Sequence, residues 1–242
     1  MIHDAAARGF ARAPEAYERG RPEYPDEAVS CVVSQLPAGA RVLDLAAGTG
    51  KLTRPLLAAG LSVVAVEPVA EMRAALPPAA TPMEGTAEAI PLGDGSVDAV
   101  TVGQAFHWFD GDAALAEIHR VLRPEGLLAL LWNRRVEGDP ANRAFDELVD
   151  PYRHEAPTHR WDSWRGAFDE TRLFGPLEER TFASEQRLDA DGMEARIGSI
   201  SFIAALGEPE RRRVLARARE LAGEGTVVLP YRAEVQICRR LS

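Results

Sequence analysis

The sequence predicts an α/β protein built on a doubly wound, mostly parallel seven-stranded sheet with helices on both faces. Three observations point there. Short β-rich apolar runs alternate with segments of helical periodicity, the pattern that parallel sheets produce. A glycine-containing loop follows the first of those runs, the strand that lies beside the order reversal where a doubly wound sheet holds ligands, and a carboxylate closes the second. No internal repeat, low-complexity tract or apolar run of roughly 18 residues interrupts the alternation.

Each element follows from local signals. Residues 1–36 read as an N-terminal helical cap, in which the extended run Arg21-Pro22-Glu23-Tyr24-Pro25 precedes a helix with Val29, Val32, Val33 and Leu36 on its apolar face. Pro37-Ala38-Gly39 closes that helix, and Arg41-Val42-Leu43-Asp44-Leu45 forms the first strand. A helix over 52–59 stops at Gly60, and 61–66 is apolar enough to be a strand covered on both faces. A helix over 69–76 and a third strand at 81–84 come next, then the fourth and fifth strands at 97–102 and 127–132. Leu115, Ile118, Val121 and Leu122 mark the helix between those two, closed by Arg123-Pro124-Glu125-Gly126. Prolines at 140, 151 and 157, among arginines and aromatics, make 134–172 a lid. The remainder, 173–242, supplies a strand at 177–188, helices over 191–206 and 208–222, and a last strand at 226–238 entered across Pro230. All of it belongs to a single domain, 1–242, with 37–133 as its binding core.

Composition narrows the function. With 46% hydrophobic and 27% charged residues over 242 positions, the chain is expected to be an ordinary soluble protein, without a membrane span. Its N-terminal residues show no secretory pattern, which makes the cytoplasm the expected location. A net charge of −9 argues against nucleic acid as a partner, since phosphates call for a basic surface. Two cysteines, Cys31 and Cys238, suit reduced buried thiols rather than a disulfide framework. The five histidines lack metal-ligand spacing, so no metal is expected; His154 and His159, the one close pair, fall in a loop. Lys51 is the only lysine among 28 basic residues, and arginine is the better holder of a planar carboxylate.

The candidate ligand loop is Asp44-Leu45-Ala46-Ala47-Gly48-Thr49-Gly50, with Glu67 at the end of the second strand. Glycines at 48 and 50 let the main chain turn sharply and approach a ligand. A carboxylate at 67 can accept hydrogen bonds from both hydroxyls of a ribose. A dinucleotide fingerprint counted from Gly48 needs a small third residue where Thr53 stands, and a phosphate-binding Walker loop needs glycine at 45 and Ser or Thr at 52, where there are Leu45 and Leu52. Both are disfavoured. Each position also has a bland reading: Asp44 as a turn former, Glu67 as a helix cap, Thr86 as the N-cap of a short helix.

This loop resembles the first motif of class I, Rossmann-like methyltransferases, an acidic residue followed by GxGxG, with Ala46 in place of the first glycine. The resemblance continues through Val63-Val64-Ala65-Val66-Glu67-Pro68, 84–92, Gly95-Ser96-Val97-Asp98-Ala99-Val100 and 119–126. It implies S-adenosylmethionine as cofactor and S-adenosylhomocysteine as product. Ala46 and Gly48 would then line the methionine part, with Asp44 opening the loop and Gln104 near its end. Glu67 would hold the ribose, Pro68 and Val69 would flank the adenine, and Thr86 and Ala87 would meet its edge, although family members often carry Asp where Thr86 stands.

The segment Gly103-Gln104-Ala105-Phe106-His107-Trp108-Phe109 lacks the Asp/Asn-Pro-Pro-Tyr motif of base-modifying amino methyltransferases, which agrees with a small-molecule acceptor. With 17–25 it resembles the trans-aconitate methyltransferase branch, implying carboxylate O-methylation as one outcome. Tyr17, Arg21 and Tyr24 would close over the cofactor, or simply pack the cap. His107 is the candidate general base, its ordinary pKa being near neutrality, with a packed histidine beside Trp108 as the equal alternative. Arg134, Arg135, Arg153, Arg160 and Arg165 are candidate acceptor anchors, and Trp161 and Trp164 are more simply lid core. The competing functions are a carbon or phenol-oxygen methyltransferase of quinone or natural-product metabolism, and a non-catalytic protein that binds the cofactor on the same fold.

Overall fold

A computed structural model describes residues 18–153 and 163–242; Tyr17, His154, His159, Arg160 and Trp161 lie outside them. In chain order the elements are α1 (Asp26–Val33), β1 (Arg41–Leu45), α2 (Thr53–Ala58), β2 (Ser62–Val66), α3 (Ala70–Arg73), β3 (Thr81–Met83), β4 (Val97–Gly103), α4 (Gly111–Val121), β5 (Leu122–Arg135), α5 (Pro140–Val149), α6 (Gly166–Glu170), β6 (Glu178–Leu188), α7 (Ala190–Gly198), α8 (Ser201–Ala204), α9 (Glu208–Ala222) and β7 (Val227–Arg239). The seven strands form one sheet in the order β3-β2-β1-β4-β5-β7-β6. The first five run parallel, and β7 pairs antiparallel with both β5 and β6. Strand order reverses between β1 and β4, which opens a crevice at their carboxyl ends. The expected seven-stranded, mostly parallel, doubly wound sheet is therefore present.

Strand alternation feeds two cores. Leu43, Leu45, Val64, Val66, Val100, Val102, Leu128 and Leu130 face one way, against Ala114, Leu115, Ile118 and Val121 of α4. Val42, Val63, Ala99, Leu127, Ala129 and Leu131 face the other, against Ala28, Val29 and Val32 of α1 and Leu56 of α2. At about 25 cal/mol per Å2 of apolar surface, burial of this kind is the main force holding the layers together.

A third core stands apart. β5 continues to Arg135, whereas β4 stops opposite Leu131, so the last residues of β5 pair only with β7. On that overhang Phe145, Leu148 and Val149 of α5 pack with Met193 and Ile197 of α7, Ile203 of α8, Val214 and Ala218 of α9, and Leu229 and Tyr231 of β7. The first part of the segment expected as a lid, through α5, thus contributes to this core.

Two expectations change. The helix expected over 191–206 is two, α7 and α8, separated at Ser199 and Ile200. Ser199 Oγ donates back to the Arg196 carbonyl at 2.6 Å, the Ser199 carbonyl accepts from Arg21 Nη2 at 2.9 Å, and Ile200 adopts extended backbone. β5 begins at Leu122 rather than 127, because Leu122 pairs with Val97 across a register irregularity before the main ladder starts. Among the described residues no helix is long and apolar enough to cross a membrane.

Candidate active site

The loop after β1 is shaped by backbone conformation. Ala46, Gly48 and Gly50 all have positive φ, at 56°, 58° and 89°. Alanine tolerates this region at a cost of about 1–2 kcal/mol, which accounts for glycine at that place in the related motif. A Cβ at Gly50 would also stand 2.7 Å from Pro77 Cδ, so only glycine fits there. The Ala47 N–H donates to the Val66 carbonyl at 3.1 Å, fastening the loop to β2.

Glu67 leaves β2 into the crevice and is 6% exposed. Its Oε2 accepts from the Gly48 N–H and its Oε1 from the Val69 N–H, each at 2.9 Å. Burial pushes the carboxyl upward, and the two N–H donors oppose that. Two further lone-pair sites remain for incoming hydroxyls. Arg73 fixes the neighbouring peptides: its Nη1 donates to the carbonyls of Glu67 at 2.6 Å and Pro68 at 3.1 Å, while Nη2 reaches Glu84 at 3.0 Å.

Asp44 is 1% exposed and turned into the protein. Thr53 Oγ1 donates to its Oδ2 at 2.6 Å and Thr101 Oγ1 to its Oδ1 at 3.2 Å, so both oxygens brace the loop against α2 and β4. Burial raises its pKa to about 6 despite the two hydroxyls. Thr86 caps no helix; its carbonyl accepts from the Ala89 N–H at 3.3 Å in a tight turn with a β-bridge, and Ala87 is buried in the first core. Gln104 ends β4 with φ of 59°, its N–H donating to the Leu131 carbonyl at 2.9 Å and its Nε2 to the Asn133 carbonyl at 3.4 Å.

His107 occupies a short 3-10 turn, Phe106–Trp108, with its ring 4.8 Å from that of Trp108 and 5.6 Å from that of Trp132. Burial, aided by the charge of Arg21, lowers its pKa to about 3. This shift favours the packed, neutral histidine over the general base, the two readings the sequence left equal.

The segment 18–25 crosses the site as a strap. Thr49 Oγ1 donates to Glu18 Oε2 at 2.5 Å, Arg54 and Lys51 form ion pairs with Glu18 and Glu23, and Asn133 Nδ2 donates to the Glu23 carbonyl at 3.1 Å. A Cβ at Gly103 would stand 2.6 Å from Tyr24 Oη, showing how closely the strap lies over β4. The sequence gives Thr49, Lys51 and Asn133 no contact with the strap; Thr49 lies in the quoted loop, and the isolation of Lys51 as sole lysine is the available signal. The candidate anchors that are described hold partners: Arg134 with Glu234 at 2.7 Å, Arg135 with Asp146, Arg153 with Asp150 at 2.6 Å and Arg165 with Glu179 at 2.8 Å. Trp164 stacks on Trp132 with centroids 5.3 Å apart, inside the first core.

Residues 43–130 match the family model of a methyltransferase domain. An uncharacterized methyltransferase-like protein of Schizosaccharomyces pombe is 35% identical over 212 residues, covering 85% of this chain and 82% of that one. The chain belongs to the methyltransferase family. An uncharacterized methyltransferase of Mycobacterium tuberculosis is 54% identical over 153 residues, 60% of this chain and 61% of the relative, so the match spans about three fifths of that protein. In structure, this methyltransferase is similar to an Anaeromyxobacter dehalogenans protein provisionally assigned as a type II methyltransferase, with a TM-score of 0.68, 27% identity, and coverage of 91% and 97%. The chain has the fold of the class I methyltransferases, as the first motif implied.

Proposed function

We propose that this methyltransferase uses S-adenosylmethionine to methylate a small molecule in the cytoplasm, with a carboxylate oxygen as the favoured acceptor atom. The observation that carries the reading is Glu67: a buried carboxylate at the end of β2, one strand from the order reversal, clasping Gly48 and Val69 and retaining lone pairs for a ribose diol. Ala46 and Gly48 would line the methionine part beside Gln104, Pro68 and Val69 would flank the adenine, and Thr86 with Ala87 would meet its edge. Tyr17 and Arg21 would complete the cover, while Asp44 supports the loop from behind. The cofactor brings an activated methyl group on a positively charged sulfur.

What the chain supplies is alignment and exclusion of water, effects worth at most about 7–11 kcal/mol. A neutral His107 favours an acceptor already ionised at neutral pH, because such an acceptor needs no proton removed before attack. It can wall the pocket or donate a hydrogen bond. The unpaired thiols Cys31 and Cys238, the latter pushed up to about 12 by burial, support a reducing compartment. The charge of −9 supports a small-molecule acceptor over nucleic acid. Calorimetry with S-adenosylhomocysteine tests the cofactor: saturable binding is expected, and its absence from folded, cofactor-stripped protein overturns the reading. Tritiated methyl transfer into a metabolite extract tests catalysis.

A further inference from the structure

Arg196 of α7 is 4% exposed within the helical layer built on the β5 and β7 overhang. Its Nε donates to Tyr231 Oη at 3.1 Å, and its Cζ lies 5.0 Å from the centroid of the Phe145 ring. Nη1 is buried without a hydrogen-bond partner, and among the described residues no carboxylate pairs with the guanidinium. Arg135 approaches the same Phe145 ring, at 4.1 Å, but Asp146 neutralises it. A buried cation without a counter-ion is costly, and an apolar side chain of similar volume would pack there without that cost. A planar fork with an unused edge is suited to a carboxylate.

Its surroundings lead to the candidate active site. The Arg196 carbonyl accepts from Ser199 Oγ, and the Ser199 carbonyl accepts from Arg21, the residue whose charge acts on His107. Tyr231 Oη donates to Gln186 Oε1 at 3.4 Å, and Gln186 Nε2 donates to the Gly20 carbonyl of the strap at 2.9 Å. A Cβ on Gly20 would fall 2.7 Å from Arg196 Cα, so the strap rests directly on this turn of α7. Tyr231 lies on β7 opposite Arg135, two strands across from the end of β4 and about three residues further along β5 than the level of Gln104, offsets of roughly 10 Å in each direction at ordinary strand dimensions.

We propose that Arg196 anchors a carboxylate of the methyl acceptor, at the end remote from the atom that is methylated. This rests on the small-molecule methyl-transfer reading and makes the acceptor an acid whose charge is read by the helical layer rather than by the cofactor loop. An acceptor methylated on a carboxylate therefore carries a second one.

The test uses the full chain saturated with S-adenosylhomocysteine, in buffer free of carboxylate and phosphate. Melting temperature is followed against glutarate, citrate and benzoate, against the neutral glutaramide and benzamide, and against inorganic phosphate. At least one carboxylate is expected to raise it with a saturable dose response, with its amide at least tenfold weaker. In Arg196→Gln that response disappears while S-adenosylhomocysteine affinity stays within twofold, and Arg196→Lys, which keeps the charge without the fork, loses at least tenfold. No carboxylate response in wild type, equal responses to acid and amide, a response confined to phosphate, or an undiminished response in Arg196→Gln overturns the proposal. Loss of S-adenosylhomocysteine affinity in Arg196→Gln also overturns it, since Arg196 would then serve the cofactor. If both variants fail to fold, an acid that acts no better than its amide in wild type still overturns the proposal. Wild type that does not bind S-adenosylhomocysteine sinks the methyl-transfer reading instead, a result recorded separately.

Discussion

Thr53 Oγ1 and Asp44 Oδ2 meet at 2.6 Å in a fully buried contact, tying the end of β1 to the helix that follows the glycine loop. The cost of holding that carboxylate away from water shows in its pKa of about 6, above the usual 3.8. His107 is displaced the opposite way, to about 3 from 6.5. These shifts have opposite consequences for stability.

For Asp44 the folded protein binds the proton more tightly than the unfolded chain, so this contribution is present at low pH and lost as pH rises from about 4 to 6, at about 1.4 kcal/mol per unit. For His107 the unfolded chain binds the proton more tightly, so stability is lost as pH falls from about 6.5 towards 3. Between pH 4 and 6 the two slopes largely cancel. Urea unfolding is expected to show Asp44→Asn gaining stability relative to wild type as pH rises through that window. His107→Gln should show the reverse trend, and parallel pH profiles for all three proteins would contradict both assignments.

Glu67→Gln exchanges an acceptor oxygen for an amide that opposes the N–H of Gly48 or Val69. Loss of a charge-assisted bond is worth about 1.5–3 kcal/mol, so affinity for S-adenosylhomocysteine should fall about 10- to 150-fold in calorimetry. An unchanged affinity would place the sugar elsewhere.

Lys51→Met removes the cation that holds the strap to the loop, a side chain only 10% exposed. Global stability should drop by about 1–3 kcal/mol, and S-adenosylhomocysteine should dissociate several-fold faster in stopped-flow measurements. Equal off-rates would show that the strap does not retain the cofactor.

His107→Gln should keep methyl transfer within about tenfold of wild type, with no inflection near pH 6.5 in either protein, since a group titrating near 3 stays neutral across the working range. Labelled transfer into extract, measured from pH 5.5 to 9, checks this; an inflection present only in wild type would restore the base role.

The sheet and the loop were legible because their signals are local. Apolar periodicity places the strands, and the acid-glycine-acid spacing of Asp44, Gly48 and Glu67 lies within one βαβ unit. The strap contacts were not, since Glu18 and Thr49 stand 31 residues apart and obey no period. Nor could composition show that His107 is buried beside Trp132, where burial and the charge of Arg21 lower its pKa. Helical spacing puts Arg196 on the same face as Met193 and Ile197, but no local signal shows that Phe145 and Tyr231 close around it. The break at Ser199 likewise needs Arg21, 178 positions away, to take up its carbonyl.

The overhang of β5 and β7 leaves the helices of the third core standing on a platform of their own, beyond the five-strand slab that carries the glycine loop. If the helical layer reads the acceptor as proposed, retuning what is accepted and retaining how it is alkylated become separable problems for this chain. A graft that exchanges the upper helices would then redirect selectivity while leaving the chemistry beneath intact.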